Sequence, residues 1–198
     1  MESFWRLAGS ISMMAITLGG CASDSPASQV SIAEDNDSLR PRRSDAEVRR
    51  GLEAAIVGYD VTFGGNEGDG TFRFVSAQLG ARETLNATTV RRMFADVVQA
   101  DPEADKPLSA LYYNDMSFAA WKHRAEADAS TGRDADLQLQ AINAALAANL
   151  SGIHVYYFGR NGRRGASHSV EGINVSVFVL GRTESGRVAG LYSVVTWT

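Results

Sequence analysis

Two residue patterns predict an α+β domain. Over 171–198, Ile173, Val175, Val177 and Val179 recur at every second position, and a second apolar run, 188–197, follows Thr183-Glu184-Ser185-Gly186. That is strand, turn, strand. Over 134–150, Leu139, Ile142, Leu146 and Leu150 fall at i, i+3, i+7 and i+11, alanines fill the flanks, and Gly152 follows as a stop. That is an amphipathic helix with a glycine terminator. Helical and β periods in one chain of 198 residues, 44% apolar and 21% charged, describe an ordinary globular protein with one domain plus extensions.

The charge balance narrows the function classes. A net charge of −4 and an isoelectric point near 5.4 exclude a free-standing nucleic-acid binder, which needs a positive face. They suit a basic protein partner instead. The single cysteine, Cys21, excludes an intramolecular disulfide.

Residues 1–20 carry a short apolar segment, 7–18, that ends in Leu18-Gly19-Gly20-Cys21. This resembles a bacterial lipoprotein signal and its lipobox, a processing segment rather than a structural one. About a dozen apolar residues are too few to span a bilayer, which takes ~20 in a helix. The expectation is a signal peptide over 1–20 and lipidation of Cys21. A flexible tether over 21–43 follows, rich in Ser, Pro, Asp, Asn and Arg. Two or more acyl chains, each buried methylene contributing about 0.8 kcal/mol, anchor a protein stably. Ala22 in place of an aspartate resembles the sorting pattern for the outer membrane, facing the periplasm.

The domain then occupies 44–198. Ser44-Asp45-Ala46-Glu47 is a capping box, and Val48, Leu52, Ala55 and Ile56 recur at helical spacing up to Gly58, which predicts a helix over 45–57. Residues 59–63 read as a short strand or arm. The loop Gly64-Gly65-Asn66-Glu67-Gly68-Asp69-Gly70 follows, and then a strand over 71–79 containing Phe72, Phe74 and Val75. Val90, Phe94, Val97 and Val98 place one stripe on a helix over 88–99. Asp101-Pro102 and Lys106-Pro107 break the chain, and a helix with Phe118, Trp121 and Ala125 on its buried side begins at Ser117. The long helix over 134–150 is followed by a strand over 153–158. A loop containing Arg160, Arg163 and Arg164 precedes the final hairpin, where Gly186 suits a bulge at positive φ.

No arrangement of residues proposes catalysis. The glycine-rich loop lacks the Lys-Ser/Thr of a phosphate cradle and the ligand spacing of a calcium loop. His123, His154 and His168 are dispersed and match no metal spacing, and no Gly-x-Ser-x-Gly elbow is present. The three loop arginines, without interleaved aromatics, read as a solvated turn rather than a nucleic-acid contact. Binding, without a cofactor, is the expected class.

The string Gly181-Arg182-Thr183-Glu184-Ser185-Gly186-Arg187-Val188-Ala189-Gly190-Leu191, preceded by Val175-Ser176-Val177-Phe178-Val179-Leu180, resembles the C-terminal signature of the nuclease A inhibitor family. The order of elements over 44–198 is similar too, and the likeness is sharpest over the last ~50 residues. The resemblance implies an α/β/α sandwich with a largely antiparallel central sheet. It also implies a non-enzymatic protein that inhibits a secreted or periplasmic, sugar-non-specific nuclease. In that family a C-terminal threonine reaches the enzyme's catalytic magnesium, helped by an acidic residue from an early loop. Here Thr198 matches the threonine, and Glu67, or alternatively Asp69, stands for the helper. Trp197 makes the tail bulkier than a polar pair, and 161–170 resembles an insertion. A scaffold lipoprotein of the same fold, binding another envelope protein, is the alternative reading.

Overall fold

The computed structural model describes residues 43–61, 70–128, 133–162 and 170–197, all within one compact unit, Pro41–Thr198. Helix α1, Asp45–Ala55, starts on the expected capping box. The Glu47 amide donates to Ser44 Oγ at 3.3 Å, and the Ser44 amide donates to Glu47 Oε2 at 2.7 Å. The helix closes two residues short of the expected end, at a turn that leaves Val57 exposed and sets Gly58 at φ +73°.

The expected strand over 71–79 is two elements. Strand β2, Gly70–Thr71, pairs antiparallel with β1, Asp60–Val61, whereas β3, Arg73–Ala77, joins the main sheet. Phe72 separates them. It is buried and stacks on Tyr59 with ring centroids 6.2 Å apart, so the chain changes partner where this side chain enters the core.

The single helix expected over 88–99 is likewise divided, into α2, Ala87–Met93, and α3, Ala95–Ala100. Phe94 leaves helical geometry at φ −115°, ψ 16°, and packs its ring 5.3 Å from that of Phe178. The predicted stripe holds across the break, because Val90, Phe94 and Val98 are all buried. A single 3₁₀ turn, Leu108–Ala110, leads into strand β4, Tyr112–Ser117.

Helix α4, Phe118–Asp128, begins with the Ala120 amide donating to Ser117 Oγ at 3.2 Å. It buries Trp121, stacked 5.8 Å from Phe118. Helix α5, Arg133–Asn149, buries Leu139, Ile142 and Leu146. The remaining strands are β5, Ser151–Gly159; β6, Asn161–Gly162; β7, Val170–Arg182; and β8, Val188–Trp197. The β7–β8 turn has the predicted form: the Thr183 amide donates to Arg187 O at 2.9 Å, and Gly186 sits at φ +83°.

The main sheet has the order β3-β8-β7-β5-β4, antiparallel throughout, with β6 pairing the start of β7. The alternation along β7 sorts the core into two layers. Val175, Val177 and Val179 join Val48, Leu52, Trp121, Leu139, Ile142 and Leu146. Phe178 and Leu180 join Val90, Phe94, Val98, Leu108 and Leu111 on the opposite face. Each such side chain contributes about 1.5–3 kcal/mol on full burial. The fold is therefore α+β, with helices on both faces of an antiparallel sheet.

Candidate functional site

The candidate site is the end of the sheet at which β8 finishes. β8 is an interior strand, hydrogen-bonded to β3 on one side and β7 on the other. Its register with β7 runs as far as Gly172↔Trp197, past an irregularity between Gly172 and Val175. The Thr196 hydroxyl also donates to Ile173 O at 2.9 Å. Backbone pairing thus holds β8 in place to its last described residue.

On its other side β8 outruns β3, whose pairing starts at Arg73↔Tyr192. Strand β2 takes over there. A Cβ added to Gly70 would lie 2.3 Å from Val194 O and 2.7 Å from Ser193 Oγ, so only glycine lets the β2 backbone approach β8 this closely. Val61 pairs with Gly70. The two ends of segment 62–69 are therefore rooted beside the last stretch of β8.

These are the segments that carry the sequence-predicted site residues. Glu67, Asp69, Thr198 and Cys21 lie outside the described residues, as does the side chain of Trp197. Gly70 and Val194 are far apart in sequence, and the fold sets them side by side.

Beneath this end lies a polar network that sequence reasoning missed. The Tyr192 hydroxyl donates to Asp101 Oδ2 at 3.1 Å and is 3.5 Å from Ser176 Oγ. Arg73 pairs with the same Asp101 carboxylate and stacks its guanidinium 4.7 Å over the Tyr192 ring. Burial pushes the Tyr192 phenol up from its ordinary value, and Ser176 and Arg73 partly offset this. Four residues on, Asp105 pairs with Arg160 Nε at 2.9 Å, and its amide donates to Asn174 O at 3.4 Å. The loop 101–105 thereby ties β8, β7 and the exit of β5 together. Sequence reading saw only a chain break at Asp101-Pro102, because acidic residues in a polar loop give no sign of burial.

Arg160 has a partner in Asp105, although its side chain remains 68% exposed; such a pair contributes little net stability. Arg163, Arg164 and His168 lie outside the described residues. His123 is exposed on α4 and His154 is exposed on β5. Among the described residues no group of three or more His, Cys, Asp or Glu side chains is placed to hold a metal ion. No described helix is long and apolar enough to cross a membrane. A scan against models of protein families finds no match, and a search of the curated proteins finds none either.

Proposed function

We propose that the chain is an envelope lipoprotein, anchored through Cys21 on the periplasmic side of the outer membrane, that binds and inhibits a magnesium-dependent, sugar-non-specific nuclease. The observation that carries this reading is the packing of Gly70, where the chain emerges from segment 62–69, against Ser193 and Val194 near the end of a strand that β7 pairs as far as Trp197. A strand end held by an ordered sheet loses little conformational freedom on docking, which favours tight insertion into a partner's cleft. Helices on both faces of the antiparallel sheet support the finer assignment, an α/β/α sandwich of the nuclease A inhibitor type.

In this mechanism Thr198 supplies hydroxyl and carboxylate oxygens to the partner's magnesium, where substrate phosphate oxygens otherwise bind. Glu67 or Asp69 supplies a further oxygen or a hydrogen-bond acceptor from the adjoining segment. Trp197, the last residue of β8, precedes Thr198 directly in the chain and would enter the partner's cleft with it.

The test compares a chain that ends at Thr198 with one carrying a single appended glycine, against a panel of purified nucleases of this class. Extension moves the carboxylate about 3.3 Å along the strand direction and leaves the core untouched. Inhibition by the first chain and its loss in the second, at equal thermal stability, is the expected result. Absence of binding across the panel, or equal inhibition by both chains, overturns the proposal. Binding that survives deletion of Thr198 points to the scaffold role.

A further inference from the structure

A cleft of about 230 Å³ opens at the opposite flank of the sheet, between strands β4 and β5 and the residues that lead into α2. Its origin is topological. Asp115 pairs with Tyr156 and Ser117 with His154, so Tyr113, Asp115 and Ser117 of β4 share one face with Phe158, Tyr156 and His154 of β5. Phe158 and Tyr156 belong to the core layer beneath α2 and α3, whereas Asp115 and His154 are exposed. The short α2–α3 layer ends here and leaves polar side chains at the margin of an aromatic floor.

The polar groups are not consumed by the fold. Tyr156 lines the cleft and is only 2% exposed, yet no described residue hydrogen-bonds to its hydroxyl. Asp115 and Thr88 also line it, and neither has a hydrogen-bonding or ion-pairing side-chain partner among the described residues. Asn86 is committed, its side-chain oxygen accepting from the Thr89 amide at 3.0 Å to cap α2. Burial, with the Asp115 charge added, pushes the Tyr156 phenol up to about 12, so its hydroxyl stays protonated at neutral pH. Of the described residues that line the cleft, His154 is the basic one, and Arg91, on α2, is spent elsewhere. It stacks over Tyr113 and Phe158 at 5.3 and 5.4 Å, donates to Leu111 O, and does not line the cleft.

We infer that this cleft binds the ammonium group of a small alkylamine. Asp115 supplies the counter-charge, the Tyr156 hydroxyl accepts one N–H, and the exposed Tyr113 ring offers an apolar wall to the carbon chain. An anion would meet the Asp115 carboxylate instead. The volume is smaller than that of drug-sized pockets, about 300–1,000 Å³, and it suits a single head group. The site lies apart from the strand end proposed to dock a nuclease and does not depend on that reading.

The test is an NMR titration of the full chain with n-butylammonium chloride, with sodium acetate at equal ionic strength as control. Saturable amide shifts confined to β4, β5 and residues 85–88 are expected, with affinity on the order of millimolar. Asp115→Asn, on an exposed edge position, should preserve the spectrum and weaken binding about tenfold. Tyr156→Phe should weaken it by a smaller factor, about threefold. Titrations with 1,5-diaminopentane and with N-acetyl-lysine methylamide distinguish a free polyamine from a lysine side chain by which binds tighter. Unsaturable shifts, shifts that acetate reproduces, or an Asp115→Asn chain that binds as well as the parent would overturn the inference.

Discussion

Replacing Gly190 by alanine tests the strand packing on which the proposed site depends. A Cβ at this position would lie 1.9 Å from Val179 O and 2.9 Å from Val179 C, both backbone atoms of the neighbouring strand. Real Cβ atoms essentially never come within 3.0 Å of such atoms, so the methyl group would intrude by more than an ångström, and no flexible side chain is there to move aside. Relief requires shifting β8 against β7 at Leu180↔Gly190, and β8 is also paired to β3 at Val75↔Gly190, so both ladders are disturbed. Overpacking alone costs about 1–3 kcal/mol; with two ladders affected, the upper end, about 3 kcal/mol, is expected. For a domain of this size that lowers Tm by roughly 6–12 °C. Gly186→Ala is the matched control, since Gly186 also has positive φ, at +83°, but nothing lies within 4 Å of an added Cβ. It should lose only the conformational term, about 1–2 kcal/mol. Urea denaturation of the two variants and the parent measures both. A Gly190→Ala chain as stable as Gly186→Ala would refute the packing argument.

Other outcomes follow from the polar contacts. Tyr192→Phe removes a hydrogen bond to a buried carboxylate, 3.1 Å from the phenol, and should cost about 1.5–3 kcal/mol in urea denaturation; an unchanged midpoint would show that Arg73 alone satisfies Asp101. Because the Tyr156 phenol is raised in the folded chain, from 10.0 to about 12, its stabilising contribution is complete below its unfolded value. It should disappear as pH rises through that window, which thermal melts of the parent and Tyr156→Phe would reveal as a steeper alkaline loss in the parent. Glu47 is held below the ordinary glutamate value, first by the Ser44 backbone and then by its side chain. Its contribution is present at neutral pH and lost as pH falls through the lowered folded value, and Ser44→Ala should move the Glu47 titration upward in an NMR pH series.

Much of the fold was legible because it is written in local periods. The capping box at Ser44, the Leu139–Ile142–Leu146 stripe, the alternation of Val175, Val177 and Val179, and the Gly186 turn each specify an element from neighbouring residues alone. Strand β4 was invisible. Tyr112-Tyr113-Asn114-Asp115-Met116-Ser117 lies on the sheet edge, where one unpaired side relaxes the demand for apolar alternation. The interruptions at Phe72 and Phe94 were equally hidden, since each arises where an aromatic ring enters a core built by distant strands and helices.

The sequence by itself determined the fold class of the protein: mixed helices and strands and a closing hairpin with a glycine turn. Only the tertiary structure decided which of these parts meet. It set β8 inside the sheet rather than at an edge, brought Gly70 against Ser193 and Val194, and buried Asp101 against Tyr192. The physical reason is that periodicity constrains residues a few positions apart. Pairing across 91 positions, as between Asp101 and Tyr192, depends on strand order and register, which emerge only when two apolar layers close on the same sheet.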